Sequence, residues 1–167
     1  MINNLSFILN LASALGCGLI AGVFFAFSVF IMKALAALPP ASGIAAMQSI
    51  NVVVLNPWFL GVFLGTAATS ILLAVLAVVK WHKPAASYLL VGAAFYLLGT
   101  VLVTMLFNVP RNEALATMNP SSPEAANFWV EYVSSWTTWN HIRTIAAFAA
   151  SASLTVALYL STDRPTP

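Results

Sequence analysis

The stretch Trp58–Val79, WFLGVFLGTAATSILLAVLAVV, runs for 22 residues without a charged side chain, and its length decides the class of fold. A helix rises about 1.5 Å per residue, so about 20 apolar residues cross the hydrocarbon layer of a bilayer. Working outward, three more stretches meet the same criterion. One precedes it, from about Leu5 to Met32, interrupted only by Asn10, serines, glycines and Cys17. Two follow it, from about Ala85 to Phe107 and from about His141 to Leu160. Four spans joined by short connections predict an all-α, four-helix transmembrane up-down bundle, with polar loops and short helices on one face, in a single integral membrane domain over residues 1–167. Composition agrees: 61% hydrophobic against 6% charged residues excludes a soluble globular domain, where about a quarter would be charged.

The first span invites comparison with a signal peptide, because Ala34-Leu35-Ala36 resembles a cleavage site. A signal core is only about 7 to 15 residues long and follows a basic leader, whereas Met1-Ile2-Asn3-Asn4 carries no basic side chain. The segment is therefore read as a span. Lys80 and Lys83 in the connection between the second and third spans, with Arg164 in the tail, place that face and both termini in the cytoplasm of the inner cell membrane by the positive-inside rule. Lys33, Arg111 and Arg143 then fall on the opposite side with Glu113, Glu124 and Glu131. Gly18/Gly22 and Gly61/Gly65 are small-xxx-small pairs of the kind that pack helices within a chain, and they leave a homo-oligomer open.

Several function classes drop out. Six Lys/Arg residues spread along the chain make no basic stripe, so no nucleic acid is expected as a partner. A lone Cys17 excludes an internal disulfide and a CxxC redox pair. No glycine-rich phosphate loop and no GxSxG elbow occurs. His82 and His141 fall on opposite membrane faces, and no His/Asp/Glu pair has ligand spacing on one helix, so no metal and no bound cofactor is expected. A channel is disfavoured by the lack of a carboxylate ring.

In so apolar a chain the polar residues carry the information, and they gather opposite the Lys80/Lys83 connection. Three segments meet there: Gln48 to Asn56, with Asn51 between; Asn108 to Glu113, with Asn112; and Trp129 to Arg143. Ser121 and Glu124 read as a capping box that starts a helix near Ser122. At 100° per residue, Trp129, Tyr132, Trp136, Asn140 and Arg143 then share one stripe, with Trp139 at its edge and Ala147, Ala150 and Ser151 continuing it inward. His141 lies about 160° around the helix from Arg143, and the two reach one cavity only if the Thr137-Thr138 region unwinds or the pocket wraps the helix. Interfacial enrichment accounts for part of the aromatic stripe, snorkelling for Arg111 and capping for Asn56. Arg143 is harder to explain structurally. A charge at the inner end of such a stripe calls for a partner, either Glu113 or an anionic substrate.

The motifs Gly22-Val-Phe-Phe-Ala-Phe-Ser-Val-Phe, Met47-Gln-x-Ile-Asn51, Asn108-Val-Pro-x-Asn112-Glu-Ala-Leu115 and Trp136-Thr-x-Trp-Asn-His-x-Arg143-Thr resemble, in order, those of the DUF1772 membrane proteins, the family that includes the anthrone oxygenases. Lys33 and Arg111 depart from the family pattern. The resemblance implies cofactor-independent oxygenation of an anthrone-like polycyclic phenol to a quinone by O2. It would need a base, an oxyanion clamp and an apolar slot. On that reading Arg143, Asn140 and Asn112 clamp the oxyanion, His141 or Glu113 takes the proton, and Trp129, Tyr132, Trp136 and Trp139 line the slot with Asn108, Asn51 and Gln48. The partners would be a hydrophobic aromatic molecule, O2 and the bilayer. A binder or carrier for an aromatic or quinone-like lipid, and an accessory subunit of a membrane complex, are the alternatives.

Overall fold

The structure is a computed structural model that describes residues 2–162; Arg164, used above for orientation, lies outside the described residues. Among those residues every regular element is a helix. They are α1 (Ile2–Ala26), a π-helical segment π1 (Phe27–Ile31), α2 (Met32–Ala36), α3 (Pro40–Val53), α4 (Pro57–Val79), α5 (Ala86–Ala94), π2 (Phe95–Leu102), π3 (Thr104–Asn108), α6 (Val109–Ala116) and α7 (Pro123–Thr162). Chained end to end they give four helices long and apolar enough to span a membrane: Asn4–Ala36, Pro57–Val79, Ala86–Ala116 and Pro123–Ser161. The fold is an all-α helical bundle of integral-membrane type. α7 packs along α1 and against α5 and π2, whereas α4 packs on α1 and α5. That places α4 diagonally across the bundle from α7.

Hydropathy located the spans but not the helix ends. The helices run on to Ala36 and Ala116, and the last begins at Pro123, as a helix start near Ser122 expects and well before the apolar span at about His141, because leaving hydrocarbon for water does not break a helix whose hydrogen bonds are internal. The start of α7 is also shifted from the proposed capping box. Ser122 Oγ accepts from the Ala125 backbone N–H at 3.1 Å, while the Ser121 N–H donates to Asn119 Oδ1 at 3.1 Å. α4 is the exception that fits one bilayer. Asn56 Oδ1 accepts from the Trp58 and Phe59 N–H groups, both at 3.0 Å, and Pro57 occupies the first turn, so the chain enters α4 through a preformed cap.

Side-chain registers fix the levels. Ser13 donates to Thr69 at 2.6 Å and Gly16 abuts Thr66, so α1 and α4 run antiparallel. Ser151 donates to the Ala14 carbonyl and Asn140 to that of Phe24, which sets α7 antiparallel to α1. Extending both registers puts the beginning of α4 about level with Phe24 and Asn140. Below that level lies one core, with Ile20, Phe63, Leu73, Tyr96, Ala150 and Leu154 buried. Above it α2, α3, α6 and the first half of α7 form a cap around a second core, with Met32, Ile44, Met47, Leu115, Trp129, Tyr132 and Trp136. Outward-facing Leu15, Leu64, Leu98 and Phe148 form the lipid-facing surface.

Of the expected pairs only Gly18 packs closely, an added Cβ there standing 3.3 Å from Ser151 Oγ; the other close contacts fall on glycines outside them. An added Cβ at Gly61, Gly65 or Gly22 would meet nothing within 4 Å, while one at Gly99 would collide with Ala146 and one at Gly92 would stand 2.8 Å from Leu154. Gly61 and Gly65 therefore carry no close packing within the chain; they line the open groove between α1 and α4.

Candidate functional site

The boundary between the two cores is polar, and the three π segments supply much of it. Ser28 comes from π1, Thr100 from π2, and Thr104 and Asn108 from π3; all but the half-buried Thr104 are buried. Side chains take backbone carbonyls at each place: Asn140 Nδ2 that of Phe24 at 2.7 Å, Thr104 Oγ1 that of Thr100 at 2.7 Å, and Arg111 Nη1 that of Phe107 at 2.7 Å. Competition for the i−4 acceptor is a recognised cause of local departures from the α ladder, and π turns of this kind gather at functional sites.

Arg143 sits at the centre of this layer, 4% exposed. Its Nη2 donates to Asn140 Oδ1 at 2.6 Å and its Nη1 to Thr104 Oγ1 at 3.2 Å. The Thr104 hydrogen is already committed to Thr100, so the hydroxyl can only accept from Arg143. The guanidinium carbon lies 4.1 Å from the Phe24 ring centre and 5.0 Å from that of Trp136. Its Nε–H is buried with no partner in the protein. Neutral acceptors and ring faces lessen the cost of a buried cation but do not cancel its charge.

Asn140 is fully occupied as the hinge of this network. Besides accepting from Arg143, its amide donates to the Phe24 carbonyl and to Ser28 Oγ, both at 2.7 Å. Thr144 Oγ1 gives its hydrogen to the Asn140 carbonyl at 2.8 Å, so the 3.2 Å contact between Ser28 and Thr144 is donated by Ser28. Asn112 is held differently. Its Oδ1 accepts from both Tyr132 OH at 2.9 Å and Trp136 Nε1 at 2.8 Å, which fixes the amide's orientation and leaves its N–H groups presented as donors.

The remaining sequence candidates are scattered. Trp129, Tyr132 and Trp136 form a ladder of stacked rings, with centroids 5.5 and 6.4 Å apart; they fill the cap core rather than line an open slot. Trp139 stacks on Phe107 at 3.5 Å. Gln48 donates to the carbonyls of Leu115 and Met118 at 2.8 and 3.0 Å, closing the end of α6. Asn108 donates to the Trp136 carbonyl at 3.2 Å but leaves its buried Oδ1 unpartnered, as are Asn51 Nδ2 and Trp129 Nε1. α7 is continuous through Thr137-Thr138, so His141 stays on the outer face and is exposed; Glu113 is exposed as well. Neither is among the partners of Arg143. Arg111 is tied down by a 3.0 Å bond to Ser135 and by the Phe107 carbonyl, not free to snorkel. Two apolar surface grooves, one between α1 and α4 and one along α5 and π2, lie away from Arg143.

A family model described as anthrone oxygenase matches residues 58–153, more than half of the chain. The chain belongs to the anthrone oxygenase family. No curated protein and no solved structure matches it. The anthrone oxygenase match spans α4 to mid-α7 and takes in Asn108, Asn112, Asn140 and Arg143, while Phe24 and Ser28 lie outside it. Phe24, Ser28 and Thr104 are the site residues that sequence reasoning missed. Phe24 and Ser28 lie in the Gly22–Phe30 motif quoted above but received no role there, and Thr104 looks like an ordinary member of an apolar span.

Proposed function

We propose that this family member catalyses the oxygenation of a flat phenolic ketone of the anthrone class at its central methylene, using O2 and no bound cofactor. The overall change is balanced: the CH2 becomes C=O with one oxygen atom of O2, and the two hydrogens leave with the other oxygen as water. Loss of one proton gives an electron-rich anion that passes an electron to O2. The resulting radical and superoxide combine to a peroxide, and loss of the second C–H proton with cleavage of the O–O bond leaves the quinone carbonyl. The protein's part is to stabilise the anion and hold its rings in a water-poor layer. The observation that carries this reading is the buried Arg143, whose counter-charge no carboxylate supplies among the described residues and whose Nε–H stands unpartnered beside aromatic rings.

The test uses the full chain in detergent with emodin anthrone under air, following quinone absorbance and O2 uptake together. Arg143→Gln should lower kcat/KM by about 10²–10³, the usual loss for an oxyanion donor; an unchanged rate would remove Arg143 from the chemistry. The outward positions of His141 and Glu113 favour a second reading, a membrane binder or carrier for an aromatic or quinone-like lipid, since binding needs no base. Tight binding without O2 uptake would select it.

A further inference from the structure

The charge balance around Arg143 constrains the ligand further than its shape does. On the α1–π1 side the guanidinium faces Phe24, with Ser28 one bond beyond through Asn140. From π2 and π3 it meets Thr104, itself bonded to Thr100. Along α7 it meets Trp136 and Asn140, with the Tyr132 ring stacked next along beyond Trp136. The Tyr132 hydroxyl donates to Asn112 Oδ1, and a carboxamide oxygen can only accept, so Tyr132 is a neutral phenol. Arg111, the other cation near α7, is committed to Phe107 and Ser135. α4 packs on α1, α5 and π2, and its Thr66 and Thr69 meet Gly16 and Ser13 of α1, below this layer. Among the described residues the guanidinium thus has no anionic partner, and its buried Nε–H has no acceptor.

We propose that the site takes its ligand as a monoanion: a flat aromatic whose negative charge is spread over its rings and on to an oxygen that accepts the Arg143 Nε–H. The proposal rests on the functional reading above only for the ring system of the ligand. A neutral phenol would fill the hydrogen bond but leave the charge unbalanced, and a charge-assisted bond is roughly twice as strong as a neutral one. A small, hard anion would balance the charge but lose its hydration on entering a layer walled by Phe24 and Trp136, whereas a delocalised aromatic anion loses less. The proton is released to water on binding, with no protein side chain required to keep it.

The experiment is a spectroscopic titration of the full chain in detergent with 1,2-dihydroxyanthraquinone, whose colour reports its own ionisation, and with unsubstituted 9,10-anthraquinone as the control that cannot ionise. The dye should bind with the spectrum of its anion at least one pH unit below the point where the free dye changes colour, corresponding to at least tenfold tighter binding of the anion. The control should bind more weakly and independently of pH. Arg143→Gln should abolish the colour shift and Arg143→Lys should keep part of it, with circular dichroism confirming that each variant is folded. Should Arg143→Gln fail to fold, Thr104→Val, which removes one guanidinium contact, should reduce the shift. A bound dye with the spectrum of its neutral form, a shift that survives Arg143→Gln, or no binding by either compound overturns the proposal. Turnover of emodin anthrone measured on the same sample separates the two claims. Oxygenation without a colour shift leaves the oxygenase and removes the anion site, while a shift without oxygenation does the reverse.

Discussion

Asn140 shows how one side chain determines what its neighbour can do. It spends both amide hydrogens on Phe24 and Ser28 and accepts Arg143 at its oxygen, so it positions the guanidinium and has no N–H left to donate to an anionic ligand. Replacing it by Ala should strand the Phe24 carbonyl, Ser28 and one Arg143 N–H. At about 1–3 kcal/mol for each orphaned group, softened by relaxation, a total loss of about 2–4 kcal/mol is expected, measurable as thermal unfolding in detergent. The inward stripe was legible in the sequence, because 100° per residue fixes which α7 residues share a face, and Trp129, Tyr132, Trp136, Asn140 and Arg143 are all buried. The role of Asn140 was not, since its partners come from α1 and π1, 112 and more residues away in sequence. His141 illustrates the same arithmetic from the other side. Its angle to Arg143 could be read from spacing, and an unbroken α7 keeps the two apart. His141→Gln and Glu113→Gln should each hold kcat/KM within about twofold in the O2-uptake assay, and a loss of tenfold or more in either would restore it as a base.

Among the elements, the spans were readable from apolar length but their packing was not. Spacing alone put Gly61 and Gly65 at a helix contact, yet they border an open groove beside α1 with nothing packed on them, while the unpaired Gly99 sits against Ala146. Which face of a uniformly apolar helix turns inward is set by its neighbours, and hydropathy has no view of that. Gly99→Leu should cost about 1–3 kcal/mol through overpacking, whereas Gly61→Leu should leave the melting temperature unchanged or raise it through higher helix propensity. Comparing the two variants by thermal unfolding checks the assignment. The π segments were equally invisible, since polar side chains claim backbone carbonyls there, Asn140 from another helix and Thr104 and Arg111 from four residues on in the same one, and no local propensity marks such a place.

For the molecule as a whole, the cap depends on α3 being held over α6 and α7. Gln48 closes the last turn of α6 through two carbonyls, so Gln48→Ala should raise amide hydrogen exchange in α3 and the end of α6 while leaving α4 and α5 unchanged. A uniform rise across all helices would show instead that the cap and the spans unfold as one unit. α4 ends where the cap begins. At about 1.5 Å per residue its 23 residues cover roughly 34 Å, against about 60 Å for the 40 of α7, so only α4 is cut to the thickness of a bilayer. On the function proposed above, with α4 spanning the hydrocarbon, the guanidinium lies at headgroup depth, the same shelf on which greasy phenols settle when they dissolve in a leaflet. For such a compound the membrane itself would serve as the reservoir, and the journey to the protein would be sideways.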